Sequence, residues 1–544
     1  MSRAALTAGT GIEAGTTPAR ALSRRGERRP ELLVGLAALV GYLVVALWLS
    51  AHDLVFPDAM SRVANGYYVL FSRDPHLAAV GFVWNPLPSL AVIPLLLLSP
   101  LCPALAGDAL AGCLVSALCG ALAVALLYRL LGQLGAGLAA RLSLTALFAL
   151  HPLVLLSSAV GASEAMLLAV GLYVAVHLTE WLTEGDPWQL VHVGVGAGVA
   201  YLVRYEALAI GAAIALLVLV VSWARWRGRE RALGMAIVDM TLAVGPVVVA
   251  FALWALASRI IVGSWLETFT SQYGNSAQVG TFRESIDGIV GTGQYARLAY
   301  LAEQLARTAP LAIPLALVAL VVALRRRETG FLSPFFVLGS VLAFQNLTFL
   351  RGMSFGWLRF QITAVPLGVL AAGYLVAVVH HAAGSPALRR AGSTALVAAV
   401  AAALPLAWWT ETDPRFAREE ALAVEVAEAG QYPMEQQVAE DIAAMGLPEG
   451  AVITDVAYSF PIVLAAQEPR VYAITTDQDF KQLLAEPRGN GVGYALLTSP
   501  DTAPADAIEE QYPGMWENGA GAATMVRQWR DGRGLTWRLY RFDA

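Results

Sequence analysis

The sequence predicts an α-helical polytopic membrane bundle of about 11–13 transmembrane helices, followed by a C-terminal α/β domain on the outer side of the membrane. Three observations carry that expectation. Hydrophobic residues make up 57% of the 544 and charged residues only 14%, which excludes an ordinary soluble globular protein. Apolar runs recur at the length of roughly 20 residues needed to cross about 30 Å of hydrocarbon, and with no water there to satisfy peptide groups such runs must be helical. After Trp409 the long apolar runs stop, and short alternating segments replace them.

The elements follow in chain order. Residues 1–29 are polar and rich in Gly, Thr and Arg, as expected of a disordered cytoplasmic N-terminus. The long apolar run behind them reads as a retained anchor and not as a cleaved signal peptide. Residues 30–409 hold apolar segments near 31–51, 87–106, 109–131, 138–159, 161–182, 189–203, 207–224, 235–258, 309–324, 332–350, 360–379 and 391–409. Arginines cluster at Arg20, Arg24, Arg25, Arg28 and Arg29, at Arg225, Arg227, Arg229 and Arg231, at Arg325 to Arg327, and at Arg389 and Arg390. By the positive-inside rule these stretches are cytoplasmic. The N-terminus is then inside and everything after Trp409 outside, so the number of crossings is odd. Segment 87–106 is broken by Pro86, Pro88, Pro94, Pro100 and Pro103, and interior proline removes a helix hydrogen bond. It is expected to lie along or re-enter the outer face, leaving eleven crossings; a further span would make thirteen.

That topology sorts the polar residues. The loop 52–86, the turn at 157–164, Arg204 to Glu206, the loop 259–307 and the turn at 351–359 all fall outside. Their convergence is what an outward-facing active site requires. In the first loop the apolar residues from Asp58 to Phe71 recur at helical spacing, as in an amphipathic helix lying on the membrane surface. Asp58 and Arg62 are four apart and share a face. A carboxylate fixed there can serve as a general base. Asp53 closes the first span and reads as an interfacial residue. His76 follows in the same loop as a substrate-binding candidate. In the loop 259–307, Trp265 and Tyr273 stand among amides and hydroxyls, a mixture that suits sugar faces and edges, with Tyr273 the candidate contact. Cys102, Cys113 and Cys119 form neither a disulfide framework nor a metal-spaced motif.

At these residues the chain resembles the GT-C superfamily of integral-membrane, inverting glycosyltransferases, of the protein mannosyltransferase or lipid A aminoarabinose transferase type. Phe56-Pro57-Asp58 stands where that family places the acidic residue of its first outer loop, and Asn85-Pro86-Leu87-Pro88 resembles its Pro-Pro-Leu motif. His151-Pro152 with Ser163-Glu164 is similar to the turn that brings a second carboxylate outward. Leu202 to Glu206 resembles the family's Arg-bearing turn, and Leu358-Arg359-Phe360-Gln361 its late Arg-aromatic motif. The resemblance implies transfer of a sugar from a polyprenyl-phosphate donor to an acceptor glycan, glycolipid or protein, at the outer face of a bacterial plasma membrane. It implies Asp58 as base and Glu164 as an orienting carboxylate, with Arg62, Arg204, Arg351 and Arg359 as substrate-binding candidates, since guanidinium forks match phosphate oxygens. Relatives often carry Asp-Glu where this chain has Asp58-Ala59, so no metal is expected, and neither a cofactor nor a nucleic-acid partner is implied.

Residues 410–544 read as an extracytoplasmic α/β domain. Helical pattern covers Glu419 to Met445, broken near Gly430 and Pro433. Strands are expected at 451–454, 471–474, 494–497 and 535–542, with a helix from Asp477 to Ala485. A transporter or flippase for a lipid-linked or amphiphilic solute is the alternative function. It would place ionisable groups near the midplane and show internal repeats; the sequence shows no repeat, and its ionisable residues lie mostly at segment ends.

Overall fold

The computed structural model describes residues 18–382, 384–429, 432–531 and 534–543. Of the N-terminal segment expected to be disordered, residues 1–17 lie outside the described residues, and from Pro18 the chain is already helical in Pro18–Ala51. Eight described helices are long and apolar enough to cross a membrane: Arg29–Ala51, Leu110–Gln133, Ser163–Glu184, Ala207–Trp226, Ala232–Ile261, Leu332–Leu350, Leu358–Ala382 and Pro386–Thr410. The chain is a multi-pass membrane protein.

Eight is fewer than the eleven expected, because three of the anticipated spans are short. Segment 138–159 is divided into Leu138–Ala149 and Pro152–Ser157. Pro152 disfavours the helical conformation in the residue before it, and His151 is extended (φ −66°, ψ 131°). Trp188–Val203 has 16 residues and Ala312–Arg326 has 15, the latter bent by 82° against Gln294–Thr308. These pieces nevertheless carry the chain from one end of the bundle to the other. At one end Arg129 pairs with Glu180 at 2.5 Å, and the Leu182 carbonyl accepts from Arg225 Nη2 at 2.5 Å and Thr329 Oγ1 at 3.0 Å. At the opposite end Ser50 Oγ donates to the Asp108 carbonyl at 3.2 Å, and Arg204 meets Glu164 at 2.5 Å. Segment 87–106 does not span: it holds the helix Leu87–Leu96, only ten residues long, and the single turn Ala104–Gly107.

The expected surface helix is present as Pro57–Phe71. Pro57 suits a first helical turn, where its missing N–H costs no bond. The helix lies close against Leu87–Leu96 at Gly66, where a Cβ would come within 2.8 Å of the Ser89 carbonyl oxygen. The loop 259–307 is not irregular; it folds into Glu267–Thr270, Asn275–Thr281, Arg283–Val290 and Gln294–Thr308. The first three are short and mixed in polarity, and Gln294–Thr308 buries polar residues, Arg297, Gln304 and Thr308, on its inner face, so none shows an apolar period.

Past the last membrane helix a strap of residues 411–417 leads to the cap helix Arg418–Glu428. The chain then builds a five-stranded sheet from β1 (Val452–Thr454), β2 (Tyr472–Ile474), β3 (Tyr494–Thr498), β4 (Ala523–Arg530) and β5 (Thr536–Phe542), in the order β2-β1-β3-β5-β4. β1 is parallel to β2 and β3, while β5 is antiparallel to β3 and β4. Four of these strands were expected and β4 was not. It is an edge strand with only Ala523 and Trp529 buried, so it lacks the alternation that marks a half-buried strand, and its arginines blunt an otherwise open edge.

The sheet unit packs directly on the surface helix. One apolar cluster joins Met60, Val63 and Tyr68 of that helix to Val438, Ile442, Ile462 and Leu539. Polar fasteners surround it. Arg73 Nε donates to Asp477 Oδ2 at 3.0 Å and Arg73 also pairs with Asp479. The Gln478 amide donates to Asp74 Oδ2 at 3.0 Å, and Tyr273 Oη donates to Asp455 Oδ2 at 2.6 Å.

Candidate active site at one end of the bundle

Three carboxylates sit at helix N-termini on the same end of the bundle. Asp58 is the second residue of Pro57–Phe71, Glu164 the second of Ser163–Glu184, and Glu206 the N-cap of Ala207–Trp226. Arg204 is the C-cap of Trp188–Val203. Each charge thus meets the helix-dipole end that stabilises it. The local sequence produces this arrangement: Pro57 begins one helix, and the Arg204 backbone is extended (φ −152°, ψ 139°), turning the chain sharply between two apolar helices.

The side chains form one connected network. Arg359 Nη1 lies 3.0 Å from Asp58 Oδ2 and 3.4 Å from Glu164 Oε1. Arg62 Nη2 stands 3.6 Å from Asp58 Oδ2. Arg204 donates through Nη1 to Glu164 Oε1 at 2.5 Å and Ser163 Oγ at 3.0 Å, and through Nη2 to Glu206 Oε1 at 2.7 Å. Gln345 Nε2 reaches the same Glu206 oxygen at 2.6 Å. From the cap helix, Glu419 Oε2 comes within 2.6 Å of Arg359 Nε.

Above this charged floor opens a cavity of about 500 Å³. Asp58, Arg62, Arg204, Glu206, Arg359, Arg418 and Glu419 line it, and Phe282, Ile286, Ile289, Val290, Phe355 and Leu422 give it an apolar wall. Gly356 shapes the rim. It adopts φ +71°, and a Cβ there would lie 2.3 Å from the Phe349 ring, so only glycine fits. Its carbonyl accepts from Gln304 Nε2 at 2.9 Å.

Electrostatics divide the carboxylates. Burial pushes the Asp58 carboxyl up, but the guanidinium groups of Arg62 and Arg359 outweigh it and hold Asp58 well below the usual carboxylate range. Burial likewise raises Glu419, to about 8, and there the neighbouring Arg359 does not compensate.

Of the residues singled out in the sequence, Asp58, Arg62, Arg204 and Arg359 line the cavity and Glu164 touches Arg204 and Arg359 from behind it. Three others stand elsewhere. His76 Nδ1 contacts the Asp74 carbonyl at 2.7 Å, in the loop that docks the sheet unit. Tyr273 is committed to Asp455. Arg351 is exposed and follows the helix Leu332–Leu350 without reaching the cavity. Asp53 is likewise not among the lining residues. Sequence reasoning missed Arg418, Glu419, Gln345 and the 282–290 wall, and did not carry Glu206 forward from the Arg204-Tyr205-Glu206 turn. Only Glu206 had a local signal. Among the described residues no group of three or more His, Cys, Asp or Glu is arranged to hold a metal ion.

A family model described as dolichyl-phosphate-mannose-protein mannosyltransferase matches residues 100–254. No curated protein matches the sequence. Among solved structures, ArnT from Cupriavidus metallidurans bound to undecaprenyl phosphate superposes with a TM-score of 0.52 at 14% identity, over 94% of this chain and 98% of that chain. The same protein in its apo state gives 0.51 at 15% identity, over 94% and 97%. The likeness is one of fold: this chain shares the ArnT architecture over nearly the whole length of both chains.

Proposed function

We propose that this chain is an inverting membrane glycosyltransferase that moves a sugar from a polyprenyl-phosphate donor to an acceptor at the outer face of a bacterial plasma membrane. The acceptor is a glycan, glycolipid or protein. The observation that carries the reading is the Asp58–Arg359 pair on the floor of a cavity whose opposite side is apolar. A phosphate-linked sugar on a lipid tail needs that combination of cation, carboxylate and grease.

In this reading Asp58 takes the proton of the acceptor hydroxyl as its oxygen attacks the anomeric carbon. The bond from that carbon to the phosphate oxygen breaks on the opposite face, and polyprenyl phosphate leaves with the electron pair. The leaving group is already a phosphate, so positioning and positive charge do most of the catalysis. Arg359 is the guanidinium best placed for the phosphate. Arg204 was a sequence candidate for that role, but Glu164, Ser163 and Glu206 already occupy its donors, and we assign it to holding the carboxylates in place. At rest Asp58 is a weak base because two guanidinium groups face it; the negative charge of a phosphate held on Arg359 offsets that guanidinium and restores its proton affinity. Basicity thus appears only with donor bound.

A transporter reading has less support. The buried charged network gathers at one end of the bundle, where a midplane binding site would be expected for transport. The test is to incubate the purified protein with a panel of polyprenyl-phosphate sugars and follow release of polyprenyl phosphate. Release with any of them supports the enzyme. Movement of lipid-linked solute across vesicles without release overturns it.

A further inference from the structure

Arg359 faces three carboxylates that hold it unequally. Asp58 accepts a hydrogen bond from Nη1 at 3.0 Å, and Glu164 lies near the same nitrogen at 3.4 Å. Glu419 Oε2 is nearer still, 2.6 Å from Nε, yet the N–H does not point at it, and Arg359 Nε is a buried donor without a hydrogen bond. A charged pair held at that distance without a directed bond attracts, but does not lock.

The three acids also differ in where they come from. Asp58 and Glu164 belong to helices of the membrane part and are fixed by packing against it. Glu419 is the second residue of the cap helix Arg418–Glu428, joined to the bundle through the strap 411–417. It lines the cavity together with its neighbours Arg418 and Leu422. The strap residues Phe416 and Ala417 are packed in the bundle core, so Glu419 leaves Arg359 by turning its own side chain, which unpicks nothing in the bundle.

With Glu419 ionised, charge counting favours the departure of one partner. Asp58, Glu164, Glu206 and Glu419 set four carboxyl groups against the three guanidinium groups of Arg62, Arg204 and Arg359. An entering phosphate adds negative charge to a site already short of positive charge, and buried like charges at such distances strongly disfavour one another. Arg418 is exposed, borders the cavity and supplies the missing cation. The position Glu419 would vacate lies in the first turn of an 11-residue helix, where backbone N–H groups favour an anion.

We infer that Glu419 is an anionic placeholder: the phosphate of the incoming lipid-linked donor displaces its carboxylate from Arg359, and Arg418 joins Arg359 on the phosphate as the Glu419 side chain turns away. The inference rests on the donor reading given above. The groups that face Glu419 are Arg359, Glu420, Asp58 and Glu164, so replacing Glu419 relieves competition at Arg359 without removing a fixed member of the network.

The experiment measures binding of undecaprenyl phosphate, with no sugar attached, to the full-length protein in nanodiscs at pH 9, where the Glu419 carboxyl is ionised. E419Q is expected to bind about tenfold tighter than wild type, R418A about tenfold weaker, and E419D close to wild type. E420Q removes the same charge one residue along and is expected to leave affinity unchanged. Equal affinity in wild type and E419Q overturns the placeholder while leaving the donor reading intact, as does equal tightening in E419Q and E420Q. No saturable binding in wild type overturns the donor reading, and the placeholder with it.

Discussion

Arg359 and Asp58, 301 residues apart in the chain, meet through a 3.0 Å hydrogen bond from Nη1 to Oδ2. Arg62 gives Asp58 a second cation, and Glu164 and Glu419 give Arg359 two further acids, but only this contact is a directed hydrogen bond between the two parts of the chain. The pair joins the first outer loop to the late turn at Leu358–Gln361, so the catalytic reading and the integrity of that end of the bundle depend on the same contact.

Asp58→Asn keeps size and removes the charge. Turnover with a polyprenyl-phosphate sugar is expected to fall by on the order of 10² or more, the range general-base catalysis supplies, while donor binding survives. Asp53→Asn is the control and keeps most activity, since Asp53 lies outside the cavity. The reverse pattern would move the catalytic acid by five residues.

Arg204 tests structure instead of chemistry. Its removal leaves buried Glu206 without a cation and buried Glu164 with Arg359 alone, at 3.4 Å, and breaking a buried ion pair costs about 3–5 kcal/mol. Arg204→Ala is expected to lower thermal stability in detergent sharply, with partial recovery in Arg204→Lys, because one ammonium cannot reach both carboxylates as a fork does. Unchanged stability together with weakened donor binding would return Arg204 to the phosphate.

Arg351→Ala is expected to keep activity within about twofold, the outcome for an exposed surface substitution away from the site. A loss comparable to that of Asp58→Asn would show that the turn at 351–359 rearranges to bring Arg351 inward.

The folded sheet unit is expected to lose stability as pH rises. Burial raises Asp477 to about 6 and Asp506 to about 8, and raises Asp455 as well. A carboxyl whose folded pKa lies above its unfolded value binds its proton more tightly when folded, so its contribution declines between the two values as pH increases. Across the seam Arg73 and Tyr273 act in the opposite sense, holding Asp477 and Asp455 lower than burial alone would. The denaturant midpoint for unfolding of the sheet unit should therefore fall from pH 5 to pH 8. A midpoint that rises or stays constant over that range would mean that burial of these acids does not govern its stability.

Much of the architecture was legible because membrane helices announce themselves by length and composition. Asp58 stood out through Pro57 before it, and Arg204 and Arg359 by their place between apolar runs. The rest depended on tertiary structure. Glu419 looks like any acid in the first turn of a soluble helix, and nothing within the segment after Trp409 says that this turn points into the membrane site. Glu267–Thr270 and Asn275–Thr281 each bury a single residue, Thr268 and Val279, too few to give a period, while the buried face of Gln294–Thr308 includes the polar Arg297, Gln304 and Thr308, which hide its period in an apolar count. Tyr273 was read as a sugar contact from its amide-rich neighbourhood, but its partner Asp455 lies 182 residues away.

Orientation also has a direct check. A reporter fused after Trp409 is expected outside the membrane and one at Arg227 inside. Cytoplasmic labelling of residues 410–544 would remove the outward-facing site.

The strap between Thr410 and Arg418 is seven residues long, which when fully extended reaches about 25 Å at most. A lid on so short a leash serves the bundle from which it hangs. Mixing Asp58→Asn protein with protein defective in Arg418 should therefore give no recovery of activity, since neither copy can lend its sound half to the other, and each polypeptide counts as a separate catalytic unit in whatever assembly it joins.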